Sequence, residues 1–373
     1  MGPLNGLKIV EIAGIGPSQF CGMLLADMGA QLIRVARPEA GDPAVEIPAR
    51  FNLMNRGRPT IRVDLKSRRG VELVLRLCDT ADALFEGFRP GVMEGLGLGP
   101  DDCLQRNERL VYGRMTGWGQ DGPLAGVAGH DTNYIALAGA LHAIGPADRP
   151  PPVPLNLIGD FGGGALYLAM GLLAAMLEAQ RSGKGQVVDA AMVDGAASLL
   201  TLFYGLLAEG RWTDRRERNV LDGAAPFVHC YATRDGKYVA VCAIESRFFG
   251  NLLEAMEITE INTDDQYRVE SWGEQIAIFE RSFATKTRDE WAELLESADT
   301  CAAPVLSLVE APQHPHNHAR DTFVIVDGVE QPAPAPRFSR TPSGIRGGPS
   351  EPADASAALA AWGLGEEEIA ELV

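Results

Sequence analysis

The chain has 373 residues, 46% of them hydrophobic, enough for a sizeable core and for two or three domains. A formal charge of −17 disfavours a nucleic-acid partner, and the apolar stretches, such as Ala165 to Leu177, stop short of the roughly 20 residues of a membrane span. Six scattered cysteines without a C-x-x-C pair disfavour a disulfide scaffold, and Met1 to Lys8 lacks the basic-then-apolar pattern of a secretory signal, so a cytoplasmic setting is expected.

Leu7 to Ala13 reads as a buried strand, Pro17 to Met28 as a helix and Gln31 to Val35 as a second strand, which together form a βαβ unit. The first turn, Gly14-Ile15-Gly16-Pro17-Ser18-Gln19, begins like a dinucleotide fingerprint but carries Gln19 where the third glycine belongs. The second strand ends in Arg34, Arg37 and Glu39 instead of a lone acid suited to a ribose. A nicotinamide site is therefore disfavoured. A helix from Arg69 to Cys78 and strands at Ala83–Glu86 and Leu110–Met115 follow. The Gly- and Pro-rich loop Thr116–Gly129 then delivers His130-Asp131 to a helical stretch, Thr132–Leu141. After a break at Pro150–Pro154 come Asp160, the run Gly162-Gly163-Gly164, an apolar helix to about Gln180, a strand at Gln186–Ala191 and a helix from Met192 to about Glu209. This alternation implies an α/β layer on a mostly parallel sheet.

Beyond the arginine-rich connector Arg211–Asp222, the runs Phe227–Thr233 and Lys237–Ala243 flank Arg234-Asp235-Gly236 and read as a hairpin. Helices follow at Ser246–Met256, Trp272–Phe283 and Arg288–Ser297, the last opened by the capping pattern Thr287-x-x-Glu290. These residues suggest a separate small domain. The proline-rich Gln331–Pro336 then leads the chain back, ending in a short helix from about Glu366.

Charge is distributed unevenly. Residues 1–90 carry a net +2 and the remainder −19, and between Arg50 and Arg69 seven cations face the single acid Asp64. In an acidic protein this suggests a small polyanion such as a nucleotide or coenzyme, or else a solvated basic loop. His130-Asp131, Asp160 and Glu245 each stand where a helix begins, a position that suits an N-cap as well as a ligand contact. A His and a carboxylate on opposite sides of a ligand would form the acid/base pair that proton transfer at carbon demands. The run His314-Pro315-His316-Asn317-His318 lacks metal-ligand spacing and reads as a proline-containing loop. There is no nucleophile elbow or Walker loop to support a hydrolase or an NTPase.

The segments Gly14 to Pro38, Val63 to Gly70, Phe88 to Pro100, Thr116 to Leu141, Pro154 to Ala165, Ser182 to Gly195, Val239 to Phe249, Cys301 to Leu306 and Pro334 to Ser343 resemble the family III CoA-transferases, and within them the branch of α-methylacyl-CoA racemases. The resemblance implies a large Rossmann-like α/β domain built from both chain ends, a small α+β domain and an interlocked homodimer. The corresponding division is 1–190, a connector at 191–224, a small domain at 225–325 and a return segment at 326–373. It further implies that Arg37, Val63, Asp64, Leu65, Lys66 and Arg89 hold the adenosine and phosphates of coenzyme A, and that Gly129, Thr132, Asn133 and Tyr134 flank the thioester. His130 and Asp160 match the two catalytic bases, and Glu245 matches the acid that pairs with the histidine, acting across the dimer. Asp131 matches the nucleophile of the transferase branch, but Gly129-His130-Asp131 has the racemase form of that triplet.

The implied reaction interconverts (2R)- and (2S)-2-methylacyl-CoA thioesters through an enolate, in branched-chain lipid metabolism. No metal or redox cofactor is implied, since coenzyme A enters as part of the substrate. The tail departs from the family at Pro352-Ala353-Asp354-Ala355-Ser356.

Overall fold

The computed structural model describes residues 2–38, 47–349 and 355–372. The expectations placed on Glu39 and on Pro352 to Asp354 lie outside the described residues. Two compact units emerge. The first comprises residues 1–138, 154–200 and 318–373, and the second residues 139–153 and 201–317.

The first unit is built on six strands: β1 (Lys8–Ile12), β2 (Gln31–Ala36), β3 (Thr60–Arg62), β4 (Ala83–Glu86), β5 (Val111–Thr116) and β6 (Val187–Ala191). All neighbours pair in parallel, in the order β3-β2-β1-β4-β5-β6. The order reverses between β1 and β4, and in open sheets of this kind ligands bind outside the carboxyl ends of the strands at that reversal. Both faces are covered, so the strands read as near-continuous apolar runs. Alternate residues of β1 serve opposite layers. Ile9 packs with Cys21 and Leu25 of the helix Pro17–Asp27 and with Leu168, Leu172 and Met176 of the helix Leu166–Ser182. Val10 and Ile12 pack with Leu73, Val74 and Leu77 of the helix Arg68–Cys78, and with Leu359 and Trp362 of the helix Ala355–Trp362. The end of the chain thus completes the layer begun near its start.

Several elements differ from the sequence expectation. β3 and the helix Ala355–Trp362 were not foreseen, and the helix expected to run from Met192 to about Glu209 breaks between Met192–Leu199 and Thr201–Glu209, where the two units divide. The apolar helix is longer than expected, because a π-helical segment, Leu157–Ala165, runs directly into Leu166–Ser182. The resulting 26 residues are long and apolar enough to cross a membrane by length and composition, and one face of them packs on the sheet.

Part of the basic stretch is buried. Glu11 of β1 is fully buried between Arg58, at 2.8 Å, and Arg34 of β2, at 3.2 Å. Burial pushes the Glu11 carboxyl above the usual range while both guanidinium groups oppose the shift. Arg56 donates to both oxygens of Asp27, the shorter bond being 2.6 Å, and to Gln331 Oε1 at 2.8 Å. These two arginines hold the unit together instead of facing a ligand.

The second unit carries a three-stranded antiparallel sheet, β7 (Val228–Ala232), β8 (Tyr238–Cys242) and β9 (Ala302–Pro304), where two strands were expected. Tyr231 stacks on Phe279 and Phe283, and Trp291 Nε1 donates to the Phe283 carbonyl. Thr287 and Glu290 form the expected capping box. The histidine run is a short helix, Pro315–Ala319, and not a loop: Pro315 suits a first helical position, and His314, just before it, meets Glu296 at 3.0 Å.

Candidate active site

The carboxyl ends of the parallel strands gather most of the residues singled out in the sequence. Arg37 follows β2, Val63 to Lys66 follow β3, and Arg89 stands three residues beyond β4. The Val63 N–H donates to the Ala36 carbonyl at 2.8 Å, which ties the Arg37 segment to the Val63–Lys66 segment. Val63 is buried, whereas Arg37, Asp64, Lys66 and Arg89 are exposed. Leu65 and Lys66 line a cavity of about 510 Å³ together with Ser67, Arg68, Val71 and Leu96. Apolar Leu65, Val71 and Leu96 beside Lys66 and Arg68 suit a flat heteroaromatic group carrying phosphates, with Glu72 the one acid in the lining.

At the reversal point lie Asp160, Asp131 and His130. Asp160 sits within the π-helical segment, a geometry frequent at functional sites. Glycines let this segment press against its neighbours. A Cβ on Gly163 would fall 2.6 Å from the backbone nitrogen of Ala196, and one on Gly159 would fall 2.6 Å from Asp131 Oδ2. The Asp160 N–H donates to Asp131 Oδ2 at 2.7 Å, and Asn156 Nδ2 donates to Asp160 Oδ2 at 3.0 Å. The same Asp160 oxygen lies against Gly16, the residue before the helix Pro17–Asp27, whose φ of 64° and ψ of −112° fit glycine alone. Gly16, a glycine that the turn shares with the dinucleotide fingerprint, thus accommodates a carboxylate at the place where such folds usually seat a phosphate.

Burial and the neighbouring Asp131 push the Asp160 carboxyl above its ordinary value, against the opposing effects of Asn156 and His130. His130 is therefore within electrostatic reach of Asp160. It is exposed, and its backbone N–H donates to Asn133 Oδ1 at 3.0 Å at the start of the helix Asp131–Leu137. Thr132 and Asn133 lie on the first turn of that helix. Tyr134, one turn in, donates to the Gly129 carbonyl and packs edge-on against Trp118. Its phenol is pushed up by burial and by Asp160, and held down by Arg89. Arg89 and Asp160 thus lie within electrostatic reach of the Tyr134 phenol, as His130 does of Asp160. Asp131, by contrast, is buried, with one carboxylate oxygen engaged by the Asp160 N–H.

Glu245 belongs to the second unit, where it is the exposed cap residue of the helix Ser246–Ala255. The backbone before it is fixed by Gln266 Nε2, which donates to the Ala243 and Ile244 carbonyls, and by the Tyr267 hydroxyl, which donates to Ile244 at 2.6 Å. Asn156 was not among the residues singled out; its position four residues before Asp160 was the available signal.

Residues 4–354 match the family described as CoA-transferase family III. The α-methylacyl-CoA racemase of Mus musculus is 42% identical over 99% of this chain and 96% of its own length. The protein of that name from Homo sapiens is 40% identical over 91% and 87%. Among solved structures, a CAIB/BAIF family protein from Brucella suis superposes with a TM-score of 0.81 at 28% identity, covering 96% of this chain and 99% of that one.

Proposed function

The chain belongs to CoA-transferase family III, and from that membership and its racemase relatives we infer that it inverts C2 of 2-methylacyl-CoA thioesters. The observation that carries the reading in this chain is an exposed histidine within electrostatic reach of the Asp160 carboxylate, which the Asn156 amide and the Asp160–Asp131 contact hold in place. An α-proton beside a thioester is weakly acidic, so racemisation needs a base on each side of C2. One of His130 and Asp160 takes the proton, and the C2 electron pair moves into the thioester carbonyl to form an enolate. The other, carrying a proton, returns it to the opposite face. The enolate oxygen is placed at the first N–H groups of the helix opened by Asp131, which have no acceptor within the helix. Glu245 of a second copy orients His130, in an interlocked homodimer. Arg37, Val63 to Lys66 and Arg89 hold the coenzyme portion of the substrate.

The rival reaction, transfer of coenzyme A through an acyl anhydride on Asp131, requires that carboxylate to reach the thioester. Burial of Asp131 and its bond from the Asp160 N–H favour the racemase reading. In deuterated water without an added acceptor acid, either enantiomer should gain deuterium at C2, followed by NMR. Asp160→Asn should abolish inversion while His130 still exchanges the proton on its own side, and His130→Ala should give the mirror result. Transfer of coenzyme A between acids without C2 exchange, lost in Asp131→Ala and kept in His130→Ala, would replace this reading with the transferase.

A further inference from the structure

Between β4 and the helix Val92–Gly95 the chain makes one tight turn, and a buried ionic group stands behind it. The Arg89 carbonyl accepts the Val92 N–H at 3.2 Å, Pro90 and Gly91 are the central residues, and Gly91 has a φ of 84°. This is the geometry of a type II turn. Glu86, the last residue of β4, lies beside Arg114 of β5 in register and is 1% exposed. Its Oε2 accepts the Phe88 N–H at 2.6 Å, and its Oε1 lies 3.5 Å from Arg114 Nε. Arg114 Nη2 then reaches Glu94 Oε1 at 2.5 Å, on the far side of the turn.

We propose that Glu86 is a positioning residue for Arg89: with Arg114 and Glu94 it clamps both ends of the turn that carries Arg89. The proposal rests on the reading that Arg89 meets the coenzyme. A carboxylate in this place carries a desolvation cost that an apolar side chain would avoid, and burial pushes its pKa up to about 7 against the pull of the Phe88 N–H and Arg114. The charged and titratable groups that face it are Arg114 and Tyr112 on β5 and, through Arg114, Glu94. Ionised Glu86 attracts Arg114 and the Phe88 N–H more strongly than the neutral acid does, so the clamp weakens as pH falls through about 7.

The test is steady-state kinetics on a 2-methylacyl-CoA thioester. Glu86→Ala should raise KM about fivefold with kcat within about twofold, a loss the size of one ordinary hydrogen bond. Glu86→Gln, whose amide oxygen still accepts the Phe88 N–H, should recover most of that loss and show no rise of KM between pH 8 and pH 6 beyond one set by the substrate itself. Glu94→Gln, at a half-exposed site that leaves the core intact, should raise KM about twofold. In an Arg89→Ala background, Glu86→Ala should add nothing further. An equal rise in that background, or an unchanged KM in Glu86→Ala while Arg89→Ala raises it, would overturn the proposal and leave the site reading standing. An unchanged KM in Arg89→Ala would overturn both.

Discussion

Asn156 opposes the rise in the Asp160 pKa, and the sign of its removal follows from the balance around that carboxylate. Burial and Asp131 push the pKa up, while the Asn156 amide and His130 pull it down. In Asn156→Ala one of the two groups that oppose burial and Asp131 is gone, so Asp160 keeps its proton to higher pH. The acid limb of the pH profile for kcat/KM, measured for the enantiomer whose proton Asp160 removes, should move to higher pH, with thermal stability nearly unchanged because residue 156 is exposed. A limb that stays put or moves to lower pH would show that Asp160 is not the group titrating there. His130 and Asp160 were legible as candidate acid/base residues beside glycines. The fate of Arg56 and Arg58 was not, because their partners Asp27 and Glu11 lie 29 and 47 residues earlier in the chain and no local pattern joins them.

At the scale of elements, the segment Leu157–Ala165 decides where the Asp160 carboxylate stands. The run Gly162-Gly163-Gly164 indicated close approach, but a π-helix leaves no periodic trace that distinguishes nine residues from the start of an ordinary helix. The reason for the glycines is visible in the contact with Met192–Leu199, where the Gly163 backbone touches that of Gly195 and Ala196. Gly163→Ala places a methyl group against backbone that cannot swing aside, an overpacking cost of about 1–3 kcal/mol. It should also separate Asp160 from Asp131, so we expect inversion to fall by more than the lost stability explains. Kinetics at a temperature where circular dichroism shows the variant fully folded would measure the excess; normal kcat in such a variant would mean that the π segment does not set the geometry. β3 was missed for a related reason. Its three residues lie between Pro59 and a run of charges, too short for a period-2 signal, and pairing with β2 supplies the structure that local propensity does not.

At the scale of the whole molecule, the alternation of strands and helices made the α/β class legible, whereas the strand order did not follow from any local signal, since it depends on which side of β1 each crossover takes. The sheet of the first unit gathers every proposed site residue except Glu245, which the second unit presents at a helix start held by Gln266 and Tyr267. In the proposed homodimer each His130 would be served by the Glu245 of its partner, so an active site would exist only between two copies. The arrangement predicts a specific stoichiometry. His130→Ala and Glu245→Ala proteins, each inactive or nearly so alone, are mixed, unfolded and refolded together. Random pairing makes about half of the dimers mixed, and each mixed dimer carries one site with both defects and one with neither, so about a quarter of wild-type inversion should return. Were Glu245 to act within its own copy, every site in the mixed dimer would carry one defect and no activity would return. Activity that stays at the level of the separate variants, with mixed dimers demonstrated by native mass spectrometry, would therefore rule out service across the dimer.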